Sequence, residues 1–359
     1  GQSLKLANWT RQRYIPKVKK PILFIFGKPR AFVPATSGHD SADCAVIYPH
    51  CAFTILCAVT FSLENTFKSI LNCFSQSLAM PLLLTVRTDS LDNELPYRSL
   101  SVQGLLPEFT ATQSLTDIKQ LPVLCDNQPA RLCDFFHVDG NPEDEQIECF
   151  GDFSRVHFLG AGMQSGTIVV QGNVGRHSGE QMSGGKLLVK GSAADWLACG
   201  MQGGEIHVHG DAANNAVGSL PGNRQGMTGG RVFIDGSVGA LAGSRMRRGL
   251  LAIGGNAGEA TGFELLAGTI LVAGQPGRHT GLGMRRGSIV LLGKKNFCHE
   301  TSTYIPPTFL QGGIWRPAFM ALLGRHLVTN GFSAARKTAW TDPWQQWHGD
   351  SLAGCRGEI

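Results

Sequence analysis

Seven times between Met163 and Gly293 the chain repeats one pattern: Met or Leu, two variable residues, Gly, a variable residue, an aliphatic, one residue, a second aliphatic, one residue, Gly. The first copy is MQSGTIVVQG, and the later ones start at Met182, Met201, Met227, Met246, Leu265 and Met284. Successive starts are 19 residues apart, except that seven extra residues, about 219–225, widen the step from Met201 to Met227 to 26. A fixed period of this size restricts the chain to architectures that stack one unit on the next, because a single unit cannot bury its own apolar face.

The two aliphatic positions never fail: Ile168 and Val170, Leu187 and Val189, Ile206 and Val208, Val232 and Ile234, Leu251 and Ile253, Ile270 and Val272, Ile289 and Leu291. Alternate residues of a strand face opposite sides, so these pairs predict an inward set, and stacking at the spacing of about 4.8 Å turns them into two internal ladders. Glycine supplies the corners: 34 of the 46 glycines fall between Gly151 and Gly293. The spacing Gly172, Gly175, Gly179 returns as Gly236, Gly239, Gly243, as Gly255, Gly258, Gly262 and as Gly274, Gly277, Gly281. So regular an aliphatic pattern argues against a glycine-rich linker. No helix-forming stretch follows any of these glycines to make a phosphate-cradling loop. The expected fold is mainly β, a solenoid of about seven 19-residue coils with a small α/β N-terminal cap and an irregular or helical C-terminal tail.

The glycine-punctuated 19-residue unit resembles the glycine-rich domain shared by the C subunit of formylmethanofuran dehydrogenase, the C subunit of the bacterial formyltransferase/hydrolase complex, and the C-terminal domain of the glutamate synthase large subunit, which implies that the coils wind as a right-handed parallel β-helix. The resemblance covers nearly everything from Met80 onward. The length from that point and the ending WHGDSLAGCRGEI from Trp347 favour the bacterial formyltransferase/hydrolase family. It implies a non-catalytic subunit in one-carbon metabolism (methylotrophy) whose partners do the chemistry. A formyltransferase subunit would move the formyl group between tetrahydromethanopterin and a methanofuran-type carrier, and an amidohydrolase-like subunit would release formate. The alternatives are the C subunit of a molybdenum or tungsten formylmethanofuran dehydrogenase and a glutamate-synthase-type coupling domain. No cofactor bound by this chain itself is implied.

Composition divides the rest of the chain. Residues 1–79 hold nine Lys and Arg against three acidic residues; with 32 basic and 27 acidic residues in all, 80–359 hold 23 and 24 and sum to −1. The excess charge lies outside the repeats, so nucleic acid is not an expected partner. Because the resemblance begins at Met80, 1–79 is expected to be a non-native or disordered extension. Its apolar run CAFTILCAVTFSL from Cys51 is too short to span a bilayer and lacks the flanks of a signal peptide, so no membrane association is expected. Residues 80–150, with twelve acidic residues against four basic, contain strand-like stretches at Leu82 to Val86 and Leu121 to Leu124 and suit an α/β cap over the first coil. Residues 294–359 carry four of the six tryptophans, Trp315, Trp340, Trp344 and Trp347, and suit a tail packed on the solenoid or on a partner.

The ten cysteines are scattered without metal-ligand spacing, and a cytoplasmic location is expected. No nucleophile triad or recurring carboxylate pair emerges, so no catalytic residue is assigned. His207 and His209 flank Val208 and share one outward side, a geometry that would hold a metal only if a third ligand approached. Strand-surface histidines are the commoner case, and no metal is assigned. His177 and His279 occupy equivalent places, where turn chemistry accounts for them. Between the aliphatic pairs, the outward residues are Val169, Leu188, His207, Phe233, Ala252, Leu271 and Val290, six of them apolar. A face so apolar predicts a cover, either the chain's own tail or another protein of the assembly. Val169, Leu188, Phe233, Leu271 and Val290 are the candidate partner interface. A second candidate surface, for the acidic tail of the carrier, is the basic group Arg245, Arg247, Arg248, Arg285 and Arg286 at two equivalent coil starts.

Overall fold

A computed structural model describes residues 80–87, 98–293 and 304–359; the segment 1–79, expected to be an extension, lies outside the described residues. The chain is mainly β, with few and short helices and no closed barrel among the described residues. One open sheet of 13 strands dominates. Its centre is the run of parallel strands Gln146–Phe150, Thr167–Val170, Lys186–Val189, Glu205–Val208, Arg231–Ile234, Leu250–Ile253, Thr269–Val272 and Gly287–Leu291. Every repeat pairs with the next without a slip, so Ile168 stands beside Leu187, Leu187 beside Ile206 and Ile206 beside Val232. The 26-residue interval does not disturb this register, because the extra residues are absorbed in the connection rather than the strand.

Thirteen of the fourteen ladder residues are buried, and Leu291 is half-buried. Leu291 is the exception because the next parallel strand, Gly357–Glu358, pairs only with Gly287 and Ser288. The Met and Leu residues that open each repeat, from Met163 to Met284, are fully buried as well. A second parallel row of single bridges runs through Phe153, Val174, Ala193, Ala212, Val238 and Ala257, one residue per repeat. Polar side chains stitch the corners beside it: Asn173 Oδ1 accepts from the Ser192 N–H, Ser192 Oγ from Asp211, Asp211 Oδ1 from Ser237, Ser237 Oγ from Asn256 and Asn256 Oδ1 from Gln275. Each such bond satisfies a backbone N–H that the turn leaves without a strand partner. Gly268 shows why glycine recurs before each strand: its φ is +102°, which side chains rarely adopt.

At the N-terminal end Leu82–Val86 pairs parallel with Gln146–Phe150 and antiparallel with Phe136–Asp139. A four-stranded second sheet, Gln128–Arg131, Pro122–Cys125, Leu100–Ser101 and Val156–His157, lies in the same region with three helical turns. At the other end, Gly357–Glu358 continues the parallel run and the antiparallel strands Trp344–His348 and Leu310–Trp315 close it.

The apolar outer row is covered differently along its length. Phe233, Leu250, Ala252, Leu271 and Val290 form one buried cluster with Met320 and Leu327 of the helix Ala318–Thr329 and with Phe332 and Ala335 of the tail. The chain's own tail therefore covers Phe233, Leu271 and Val290, and these three are not available as the partner interface expected of them. The reason is geometric: the C-terminal turn returns next to the last repeats, and a Leu- and Met-bearing helix finds its nearest apolar surface there. Val169 and Leu188, on the earlier repeats, are half-exposed.

Candidate functional site

Two basic surfaces and one polar cluster arise from the regular stacking. The repeat starts at Met227, Met246 and Leu265 share one turn, in which the residue after the next opener donates back to them: Arg247 N–H to the Met227 carbonyl at 2.8 Å, Leu266 to Met246 at 2.9 Å and Arg285 to Leu265 at 2.7 Å. Arg247 and Arg248 thus sit two repeats from Arg285 and Arg286, about 10 Å along the stack. Arg247 and Arg285 are exposed, as is Arg286. Arg245 differs, because its Nε donates to Glu264 Oε2 of the next repeat at 2.7 Å and its charge is compensated there. The insertion 219–225 reaches the same corner: Arg245 Nη1 donates to the Asn223 carbonyl at 3.4 Å and Arg247 Nη1 to Gln225 Oε1 at 3.2 Å.

A groove of about 440 Å³ opens near the N-terminal end, lined by Arg98, Arg155, His157, Arg176 and Asp195 among others. Arg176 Nε lies 3.6 Å from Asp195 Oδ2. His157 Nδ1 accepts the Arg176 N–H at 3.0 Å; burial, then the charges of Arg176 and His177, push its pKa below the ordinary histidine value. Three guanidinium-bearing residues beside one neutral imidazole make a lining suited to a carboxylate or phosphate. The sequence did not single out His157, although it stands one period before Arg176; Arg98 enters from outside the repeats and left no periodic signal.

The outward histidines acquire a third polar neighbour. His207 Nε2 lies 3.0 Å and His209 Nδ1 2.8 Å from Asp235 Oδ2, and the two rings are 4.5 Å apart. Burial alone would raise the pKa of Asp235, but the hydrogen bonds and charges of the two histidines outweigh it and hold the carboxyl below its usual range. His177 and His279, by contrast, sit in left-handed turns at φ +60° and +58°. The His177 ring stacks between Phe158 and Trp196, bonded to Glu180, and His279 bonds to Glu259.

No protein-family model matches the chain. The C subunit of the tungsten-containing formylmethanofuran dehydrogenase 2 of Methanothermobacter wolfeii is 33% identical over 90 residues, 24% of this chain and 33% of that protein. The C subunit of the molybdenum-containing formylmethanofuran dehydrogenase 1 of Methanothermobacter marburgensis is 35% identical over 81 residues, 22% of this chain and 20% of that protein. The chain thus spans a third or less of the length of these curated relatives. A chain in the crystal structure of the formyltransferase/hydrolase complex (FhcABCD) from Methylorubrum extorquens, in complex with methylofuran, superposes with a TM-score of 0.67 at 28% identity, covering 77% of this chain and 97% of that one. The resemblance that the repeated motif carries is therefore found again by sequence and by fold: this chain is similar to the C subunits of the formylmethanofuran dehydrogenases and to a chain of the formyltransferase/hydrolase complex.

Proposed function

We propose that this chain is a non-catalytic structural subunit, of the C-subunit kind, in a cytoplasmic formyltransferase/hydrolase complex of one-carbon metabolism, and that its repeats wind as a right-handed parallel β-helix. The observation that supports this most is the similarity over 97% of one chain of such a complex, against a third of the dehydrogenase subunits. In this reading formyltransferase and amidohydrolase-like partners move the formyl group between tetrahydromethanopterin and a methanofuran-type carrier and release formate, and this chain binds neither cofactor in an active site of its own. The parallel register and the second row of bridges favour the helical winding, since a strand, a turn and a further bridged position recur in each period.

With Phe233, Leu271 and Val290 under the tail, the tail itself carries a group of exposed large apolar side chains, Leu310, Ile314 and Trp315 on the edge strand and Phe319 and Leu322 on the helix, with Ile314 71% exposed, while Met80, Phe109, Leu124 and Phe150 are exposed at the N-terminal end. An apolar group of this kind marks an interface. Arg247, Arg248, Arg285 and Arg286 are proposed to attract the acidic carrier tail, with Arg245 holding the turn.

Isolation of the native protein from its host, with identification of what co-elutes, tests the reading. Formyltransferase- and amidohydrolase-like chains should co-elute, and Ile314→Asp should release them. Elution as a lone chain, or turnover of a formylated carrier by the isolated chain, would refute it.

A further inference from the structure

The His207, His209 and Asp235 cluster is built by the register rather than by chance rotamers. His207 and His209 are two residues apart and so project to the same side of one strand. Asp235 is the register neighbour of His209 on the following strand, because its N–H donates to the Val208 carbonyl at 2.9 Å. The donor atoms of all three residues lie within 4.8 Å of one another. On both sides the parallel ladder holds the backbone, and His207 is nearly buried, in an edge contact with the Phe233 ring. The outer carboxylate oxygen, Asp235 Oδ1, is approached by Ser333 Oγ of the tail at 3.5 Å.

Two imidazoles and one carboxylate are a donor set that borderline divalent cations prefer, whereas calcium and magnesium take oxygen ligands. We propose that Nε2 of His207, Nδ1 of His209 and Oδ2 of Asp235 form a site for a single borderline transition-metal cation of the zinc type, at the seam where the tail meets the repeats. Zinc bonds of roughly 2.0–2.2 Å in tetrahedral geometry separate the ligands by about 3.3 Å. The nitrogen-to-oxygen distances of 3.0 and 2.8 Å need to open by only a few tenths of an ångström. Each neutral imidazole moves the proton it now shares with Asp235 to its other nitrogen, which frees the lone pair that faces the metal. The fourth position opens to solvent on the side of His209, which is 37% exposed. One feature of the site opposes the cation: Lys190 Nζ lies 3.3 Å from His209 Nε2, so the exposed ammonium must swing away as the metal enters. The cation would fix Asp235 and, through Ser333, the tail over the outer row.

The test uses the full-length chain without an affinity tag, stripped with a chelator and titrated calorimetrically with zinc alone, with cobalt as the spectroscopic substitute. One zinc should bind per chain, raise the melting temperature, and give a cobalt spectrum of low coordination number without a thiolate charge-transfer band. Asp235→Asn, which keeps the shape and an acceptor for the histidines, should weaken binding by more than the roughly ten- to hundredfold that loss of an outer-shell partner costs. Lys190→Met, an exposed change that leaves the fold intact, should tighten it. Absence of saturable binding would overturn the proposal. So would a thiolate band, which would place the ion on the cysteines, or zinc binding that survives His207→Gln and Asp235→Asn together.

Discussion

His157 shows how one residue inherits its chemistry from the stacking. Its ring is bonded at Nδ1 by the backbone of Arg176 and hemmed by that residue's charge, so burial and repulsion both favour the neutral form. A folded pKa held below the unfolded value of about 6.5 means that the unfolded chain binds the proton more readily. The contribution of His157 to stability is therefore complete above that value and lost as pH falls through the folded pKa. Melting temperature measured against pH should fall below pH ~6.5, and His157→Gln, which keeps an acceptor for the Arg176 N–H, should flatten that part of the curve; an unchanged slope would deny the assignment. A neighbouring column exposes the limit of reading residue by residue. Phe158, His177, Trp196, Asn215, Leu241, Ala260 and His279 all adopt positive φ, between 55° and 66°. Such a conformation is strained for side-chain-bearing residues and is kept only where the surroundings over-determine it. Six residue types fill the column, so composition could not mark it, whereas the glycine columns beside it announced themselves.

At the scale of the element, the helix Ala318–Thr329 and the turn after it decide what the outer row does. Phe332 is fully buried, with its ring 6.3 Å from that of Phe233, and Trp340 Nε1 donates to the Ala335 carbonyl at 3.0 Å to close the tail on itself. Phe332→Ala removes the side chain that joins tail to sheet and should cost about 3–5 kcal/mol, the range for emptying a buried aromatic site. The loss should be local: amide exchange in Ala318–Thr329 should quicken while that of the strand Thr167–Val170 stays unchanged, and equal acceleration in both would contradict an independently docked tail. The strands themselves were legible because their aliphatic pairs recur without a fault. The tail's docking was not, since Phe332 and Met320 belong to no period and an apolar row requires a cover without saying which one.

At the scale of the whole molecule, stacking converts sequence periodicity into surfaces. Arg247, Arg248, Arg285 and Arg286 share one edge of the repeats, spaced by about one screening length of physiological salt, so an extended polyanion could meet both pairs where a small anion meets one. In the reconstituted complex, Arg247→Glu with Arg248→Glu should raise KM for a long-tailed acidic carrier roughly fivefold or more, equivalent to about 1 kcal/mol of screened attraction, and leave kcat unchanged; an unaltered KM would discard the track. The 19-residue period alone determined that the chain is mainly β, with parallel strands in register and an aliphatic interior, because a repeated local pattern can bury itself only by stacking on its copies. The period also brought the Arg pairs to equivalent turns. Only the tertiary structure decided that the tail lies over Phe233, Leu271 and Val290, that Glu264 claims Arg245, and that Asp235 closes on His207 and His209. The tail contacts join residues that share no period, and only the closed three-dimensional path of the chain sets their distance; Glu264 stands one period after Arg245 and Asp235 one widened interval after His209, so stacking makes them neighbours and the tertiary structure decides only that their side chains bond.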